Sequence, residues 1–268
     1  MKIPIYQVDS FAVQPFKGNP AAVVFLEKPR EANWMQSVAA EMNLSETAFL
    51  LAKEDGYNLR WFTPTTEVDL CGHATLASAH ILYEFGFYEP DEAIKFHTRS
   101  GLITATFTRG TIELDMPLRQ PIEAKASPDL IAILGEEPLA VANFKDQVIL
   151  AELPSIAAIR GFVPDFKKIV ELNLPDLLIT AAADGNPFDF VSRFFSPRTG
   201  IPEDPVTGMA HCILTPYWAK KLNKNKLHAY QASARGGELW ARMDTDRVFI
   251  GGKAVTVFQG ELLHQRDN

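Results

Sequence analysis

The sequence predicts an α+β fold of two similar lobes, and three observations predict it. Short apolar runs with the period-two spacing of strand faces fill most of the chain. Two longer runs with helical spacing, HATLASAHILYEFG from residue 73 and GMAHCILTPYWAKKL from residue 208, sit directly at a glycine. The surroundings of the first helical run recur around the second, about half the chain later. RWFTP (60–64) is answered by RFFSP (193–197), GHA (72–74) by GMA (208–210), and HTRSG (97–101) by QASARG (231–236). One repetition is too few to stack a solenoid, so it implies paired lobes.

The elements follow in order. IPIYQVDSFAV and AAVVFLE read as strands, and Asn33 before WMQSVAAEM reads as the N-cap of a first helix. TAFLLA and NLRWF are strands, and the helix from residue 73 closes at Gly86. IKFHT, LITATFT and TIELDMP complete a first lobe of residues 1–120. The Pro/Glu/Ala/Lys stretch PIEAKASPD supplies a linker at 121–127 before a second lobe of residues 128–257. There SPDLIAILG is a short helix, followed by the strands LAVANF, QVILAEL, LLITAAA and FDFVSRFFS. The helix from residue 208 contains Pro216, which costs a backbone hydrogen bond and should bend the axis. HAYQAS, ELWARM, RVFIGG and AVTVFQGELL are the remaining strands.

With 268 residues, 47% of them hydrophobic, the chain can bury a large core. Its 26 basic against 33 acidic residues, net charge −7, argue against the basic surface that nucleic acid or anionic lipid requires. MKIPIYQVDSF lacks the long apolar segment of a signal peptide and no run is long enough to span a bilayer, so a cytoplasmic protein is expected. Cys71 and Cys212 make neither a disulfide framework nor a structural zinc spacing. His211 lacks a companion in H-x-x-x-H or H-E-x-x-H spacing, so no metal is expected. G-x-S-x-G, Walker A and G-x-G-x-x-G are all missing, which leaves acid–base chemistry without a cofactor.

The candidate site residues cluster at the repeated segments. Gly72-His73 and Thr207-Gly208-Met209 open the two long helices, where free N–H groups and the positive helix end favour an anion; each glycine alone is also an ordinary cap. Glu46 shares a strand face with Ala48 and Leu50, where burial or a nearby anion would raise its pKa toward neutrality and let it take and return a proton. The plainer alternative is a strand-edge glutamate turned to solvent. His73 either hydrogen-bonds a substrate or fills the first helical turn. Asp204, next to Glu203 between two prolines, either contacts substrate or complements the dipole of the following helix.

GNPAAVV, MNLSETAF, RWFTPTTEVDLCGHATLA, the SG of TRSG, RFFSPRTGIPEDPVTG and QASARGG, in this order over nearly the whole chain, resemble the phenazine-biosynthesis (PhzF-like) isomerase family. The resemblance implies the diaminopimelate-epimerase-like fold: two pseudo-symmetric lobes, each a highly curved, mostly antiparallel sheet around a central helix, with a C-terminal strand near 258–268 returning to the first lobe. It also implies a cofactor-independent, homodimeric isomerase acting on a small carboxylate-bearing metabolite by general acid/base catalysis in the interlobe cleft. On that reading Glu46, His73 and Asp204 are catalytic, and Ser45, Gly72, Thr207, Gly208 and Met209 bind substrate. The position after Gly208 is usually serine in that family; Met209 loses its hydroxyl. Against the epimerases of the wider fold, which oppose one cysteine from each lobe, Cys71 takes the first position and Thr207 the second. A threonine hydroxyl is too weak an acid for that exchange. An amino-acid epimerase or racemase, and a silent metabolite-binding member, are the alternatives.

Overall fold

The computed structural model describes residues 2–184 and 187–263. The chain divides into two compact units, residues up to 116 with those from 251 on, and residues 117–250. It opens with β1 (Lys2–Ser10), β2 (Asn19–Leu26), α1 (Ala32–Met42), β3 (Glu46–Lys53), β4 (Gly56–Phe62) and β5 (Glu67–Val68). Next come α2 (Gly72–Glu84), β6 (Ile94–Thr98), β7 (Gly101–Thr108) and β8 (Thr111–Pro117). The second unit adds β9 (Ile122–Ala124), α3 (Pro128–Leu134), β10 (Ala140–Phe144), β11 (Val148–Glu152), α4 (Ile156–Gly161) and α5 (Phe166–Glu171). It continues with β12 (Asp176–Ala182), β13 (Phe190–Ser196), a 3-10 turn (Pro197–Thr199), β14 (Ile201–Asp204), α6 (Gly208–Leu222), β15 (Lys226–Gln231) and β16 (Gly237–Asp244). The last strands are β17 (Arg247–Gly252) and β18 (Ala254–Leu263).

Both units follow one strand plan. In the first, pairing runs β18–β1–β2–β3–β4–β6–β7–β8 with β5 on β4, parallel at β2/β3 and β4/β6 and antiparallel elsewhere. The second runs β9–β10–β11–β12–β13–β15–β16 with β14 on β13, parallel at β11/β12 and β13/β15. Parallel neighbours need a crossover, and helices supply it at equivalent places: α1 or the pair α4 and α5 at the first, α2 or α6 at the second. The α+β class and the lobe repeat read from the sequence are therefore the architecture.

Helix α2 is buried nearly all round and packs on β1, β2, β3, β7 and β18, so it has no polar face to read as amphipathic. Gly86 at φ +71 ends it, with the Phe87 N–H donating to the Leu82 carbonyl, as the sequence predicts. Strand β3 is covered on both faces, since Met35 and Ala39 of α1 pack on Phe49 while α2 lies against the strand. The alternation expected for its two faces is therefore absent over residues 47–50. In α6 the chain continues through Pro216, and the Cys212 carbonyl that proline leaves without a helical donor accepts the Arg119 N–H at 3.3 Å. No helix among the described residues is long and apolar enough to cross a membrane.

Three expectations need correction. The N-cap position of the first helix is Glu31, whose side chain makes no capping bond, not Asn33, whose carbonyl instead accepts the Ser37 hydroxyl inside the helix. Within the expected linker 121–127, Ile122, Glu123 and Ala124 form β9 on β10, a pairing made by backbone alone because all three side chains are exposed. Helices α4 and α5 were not expected; each is six residues long and is capped by Ser155 or Asp165, too short for a periodicity to show.

The repeated arginines are structural clamps. Arg60 grips Glu67 with two hydrogen bonds of 2.7 and 2.8 Å, and Arg193 grips Glu203 at 2.7 and 3.0 Å. Arg193 also donates to the carbonyls of Ile159 and Phe162 and lies 4.9 Å over the Phe195 ring. Its removal strands a half-buried carboxylate and two carbonyls, so Arg193→Met should destabilise the protein by about 2 kcal/mol. Urea unfolding measures this; a midpoint equal to the parent's would refute the clamp.

Candidate active site

In the first unit, β3 and the start of α2 bring three chemically active side chains together. Asn43, at φ +50, ends α1, and the chain turns through Leu44 and Ser45 to place Glu46 as the first residue of β3, in register with Ala21 of the parallel β2. His73 is the second residue of α2, 3% exposed, and its Nε2 lies 3.1 Å from Oε2 of Glu46. This is an ion-pair distance whose angle falls short of a hydrogen bond, and neither atom has another hydrogen-bond partner among the described residues. The Sγ of Cys71, the N-cap residue of α2, lies 3.6 Å from Nδ1 of His73.

Two residues outside the predicted set hold the imidazole. Ser10 donates its hydroxyl to the His73 carbonyl at 2.7 Å, and the Asn19 side-chain amide lies 3.1 Å from Nδ1. An amide suits either form of the ring, offering N–H to neutral imidazole or its oxygen to imidazolium. Burial alone would push the His73 pKa down, but the neighbouring Cys71 and Glu46 outweigh it and hold it well above the ordinary histidine value. Burial, and then the Glu46 charge, push the Cys71 thiol up. Glu46, Cys71 and His73 each offer a ligand atom, all within 4.8 Å of one another, and among the described residues are the group that could hold a cation. Glu46 and His73 are thus together with Gly72, while Ser45 is half-buried beside Glu46 without a side-chain hydrogen bond among the described residues.

In the second unit, the acidic pair before α6 divides its work. Glu203 belongs to Arg193, whereas Asp204 is 8% exposed and accepts the Thr207 hydroxyl at 2.5 Å. Buried Gln231 ties this turn down. Its Oε1 accepts the Thr207 N–H at 2.8 Å, and its Nε2 donates to the Asp204 carbonyl at 2.7 Å. Thr207 is the N-cap of α6, so Gly208 and Met209 are its first helical residues, whose N–H groups have no carbonyl within the helix. Cys212 lies a turn further on, its thiol pushed up to about 12 by burial and bonded to the Gly208 carbonyl.

His211 is a core residue. Its Nδ1–H donates to the Thr207 carbonyl at 2.8 Å, its ring stacks on Phe190, and burial pushes its pKa down to about 4. The unfolded chain takes up this proton near pH 6.5, so the stability from a neutral His211 is present above that pH and is lost as pH falls toward 4. Over that interval the loss should be about 3 kcal/mol. Urea unfolding should show a shallower pH dependence in His211→Asn; an unchanged slope would refute it.

Asn19 and Gln231 both lie in segments that carry the family resemblance, but their contacts reach residues 54 and 24 to 27 positions away. Residue pattern alone carries no signal for such pairings.

Comparison with known proteins shows the family. The chain matches the family described as "phenazine biosynthesis-like protein" over residues 8–260. It is 50% identical over 264 residues to a protein of Halalkalibacterium halodurans named an uncharacterized isomerase, covering 98% of this chain and 99% of that one. The crystal structure of a phenazine biosynthesis protein of the PhzF family from Enterococcus faecalis superposes with TM-score 0.92 at 41% identity, over 98% of this chain and 100% of that one. A probable proline racemase from Agrobacterium radiobacter shares the fold, with TM-score 0.69 at 12% identity over 99% of this chain and 94% of that one.

Proposed function

This chain belongs to the phenazine biosynthesis-like family of isomerases, and from that premise we propose that it shifts a proton on a small carboxylate-bearing substrate with Glu46 as general acid and base. The observation that carries this reading is the Glu46 carboxylate beside a buried histidine, with Oε2 in no hydrogen bond among the described residues. The carboxylate takes a proton from a carbon acidified by an adjoining carboxyl group or double bond, becomes a neutral acid, and returns the proton to another carbon. His73, whose pKa its neighbours Cys71 and Glu46 hold well above the ordinary value, steadies the negative charge that develops on the substrate. No cofactor takes part.

The repeat in the sequence supports a site between the lobes, completed by the second helix start. There Asp204 orients the substrate, and the N–H groups of Gly208 and Met209 receive its carboxylate. The two-thiol racemase is disfavoured by chemistry at Thr207, whose hydroxyl is committed to Asp204. Solvent-deuterium incorporation in Glu46→Gln tests the proposal, using carboxylates that raise the melting temperature of the parent protein.

A further inference from the structure

The second unit contains a cavity of about 400 Å³ lined wholly by its own residues, among them Arg119, Asp146, Gln147, Asp176, Arg198 and Met209. Four of these are charged, two of each sign, and among the described residues none reaches an opposite charge at ion-pair distance. Each is held instead by a neutral partner. Arg119 lies 5.2 Å over the Phe144 ring, and Arg198 donates to Asn173 Oδ1 at 2.7 Å. Asp146 accepts from the Asn143 amide at 2.8 Å, and Asp176 from the Ser196 hydroxyl at 2.7 Å. Opposite charges facing one cavity lower their energy by pairing; here Arg119 and Asp176 are half-buried, Asp146 and Arg198 exposed. These tethers keep them apart.

The cavity also occupies a telling place in the repeat. Asp176 begins β12 opposite Val148 of the parallel β11, as Glu46 begins β3 opposite Ala21 of the parallel β2. Met209 follows Gly208 at the start of α6, as His73 follows Gly72 at the start of α2. The second unit thus keeps a carboxylate and a helix start where the first has its acid–base cluster, and adds two guanidinium groups.

We propose that this cavity binds a small zwitterion of the α-amino-acid class, its carboxylate between Arg119 and Arg198 and its ammonium on Asp146 and Asp176. A plain anion would be repelled by the two aspartates and a plain cation by the two arginines, whereas a zwitterion satisfies both signs. Burial adds to the drive. It pushes Arg119 below its usual pKa and lifts Asp176, and a bound ligand would relieve both.

The cavity shares Met209 with the proposed isomerase site, but its four charged groups take no part in that reaction, and its test is separate. The free proteinogenic amino acids are titrated into the full chain by calorimetry, and any that binds is compared with its N-acetyl and methyl-ester forms. Saturable binding of a free amino acid is expected, with each blocked form at least about tenfold weaker. Arg198→Met and Asp176→Asn should each weaken it by about tenfold. Arg198 is exposed and asparagine keeps the shape of Asp176, so both variants should fold, which circular dichroism checks. Glu46→Gln should bind as the parent does even where its deuterium exchange is lost. Failure of every amino acid to bind, equal binding of the N-acetyl form, or full affinity in both variants would overturn the proposal.

Discussion

In Glu46→Gln, solvent deuterium incorporation into a turned-over carboxylate substrate is expected to fall by about a thousandfold, with the fold retained. A general base contributes about 10²–10⁴-fold, and an amide of the same shape cannot accept a proton from carbon. Glutamine can still reach His73, so the geometry of β3 against α2 should persist. The charge beside the imidazole is gone, however. The His73 pKa, held up in part by that carboxylate, should therefore drop, which NMR titration of the ring reads independently of turnover. Exchange within tenfold of the parent would sink Glu46 as the base. If Cys71→Ala then abolished exchange, the proton would belong to the thiol.

What could be read in the sequence, and what could not, follows from the range of the interactions. The apolar runs became strands because their patterns and their turn residues are local, and α2 and α6 were visible as long helical runs, the second despite Pro216. Glu46 and His73 lie 27 positions apart, and only the family resemblance brought them into one site before the structure did. Glu203 and Asp204 are adjacent, yet one is spent on Arg193 and the other turns to Thr207, a division that depends on β13 and β14 being paired. The RWFTP and RFFSP repeat correctly announced two lobes, but its arginines serve the clamps to Glu67 and Glu203. Repetition marked architecture there, and the proposed chemistry touches it only at the helix starts.

Gly18→Ala is expected to destabilise the protein by about 4 kcal/mol and to lower exchange as well, although residue 18 touches no substrate in the proposed mechanism. The backbone at Gly18 has φ +63, and a Cβ there would lie 2.0 Å from the Ser10 carbonyl oxygen and 3.0 Å from the Ala12 Cβ. A left-handed alanine costs about 1–2 kcal/mol and an overpacked contact about 1–3 more. The obstructing atom belongs to the backbone of β1, whose Ser10 is paired with Asn19 of β2, so it cannot swing aside as a flexible side chain would. Relief would have to part the ends of the two strands. Those ends carry the Ser10 hydroxyl bound to the His73 carbonyl and the Asn19 amide against Nδ1, so the strain is delivered to the imidazole. The glycine of the GNPAAVV segment is thereby a positioning residue. Urea unfolding and an NMR titration of His73 separate its two effects: lost stability with an unmoved ring pKa would leave Gly18 a turn residue alone, and full stability would refute the clash itself.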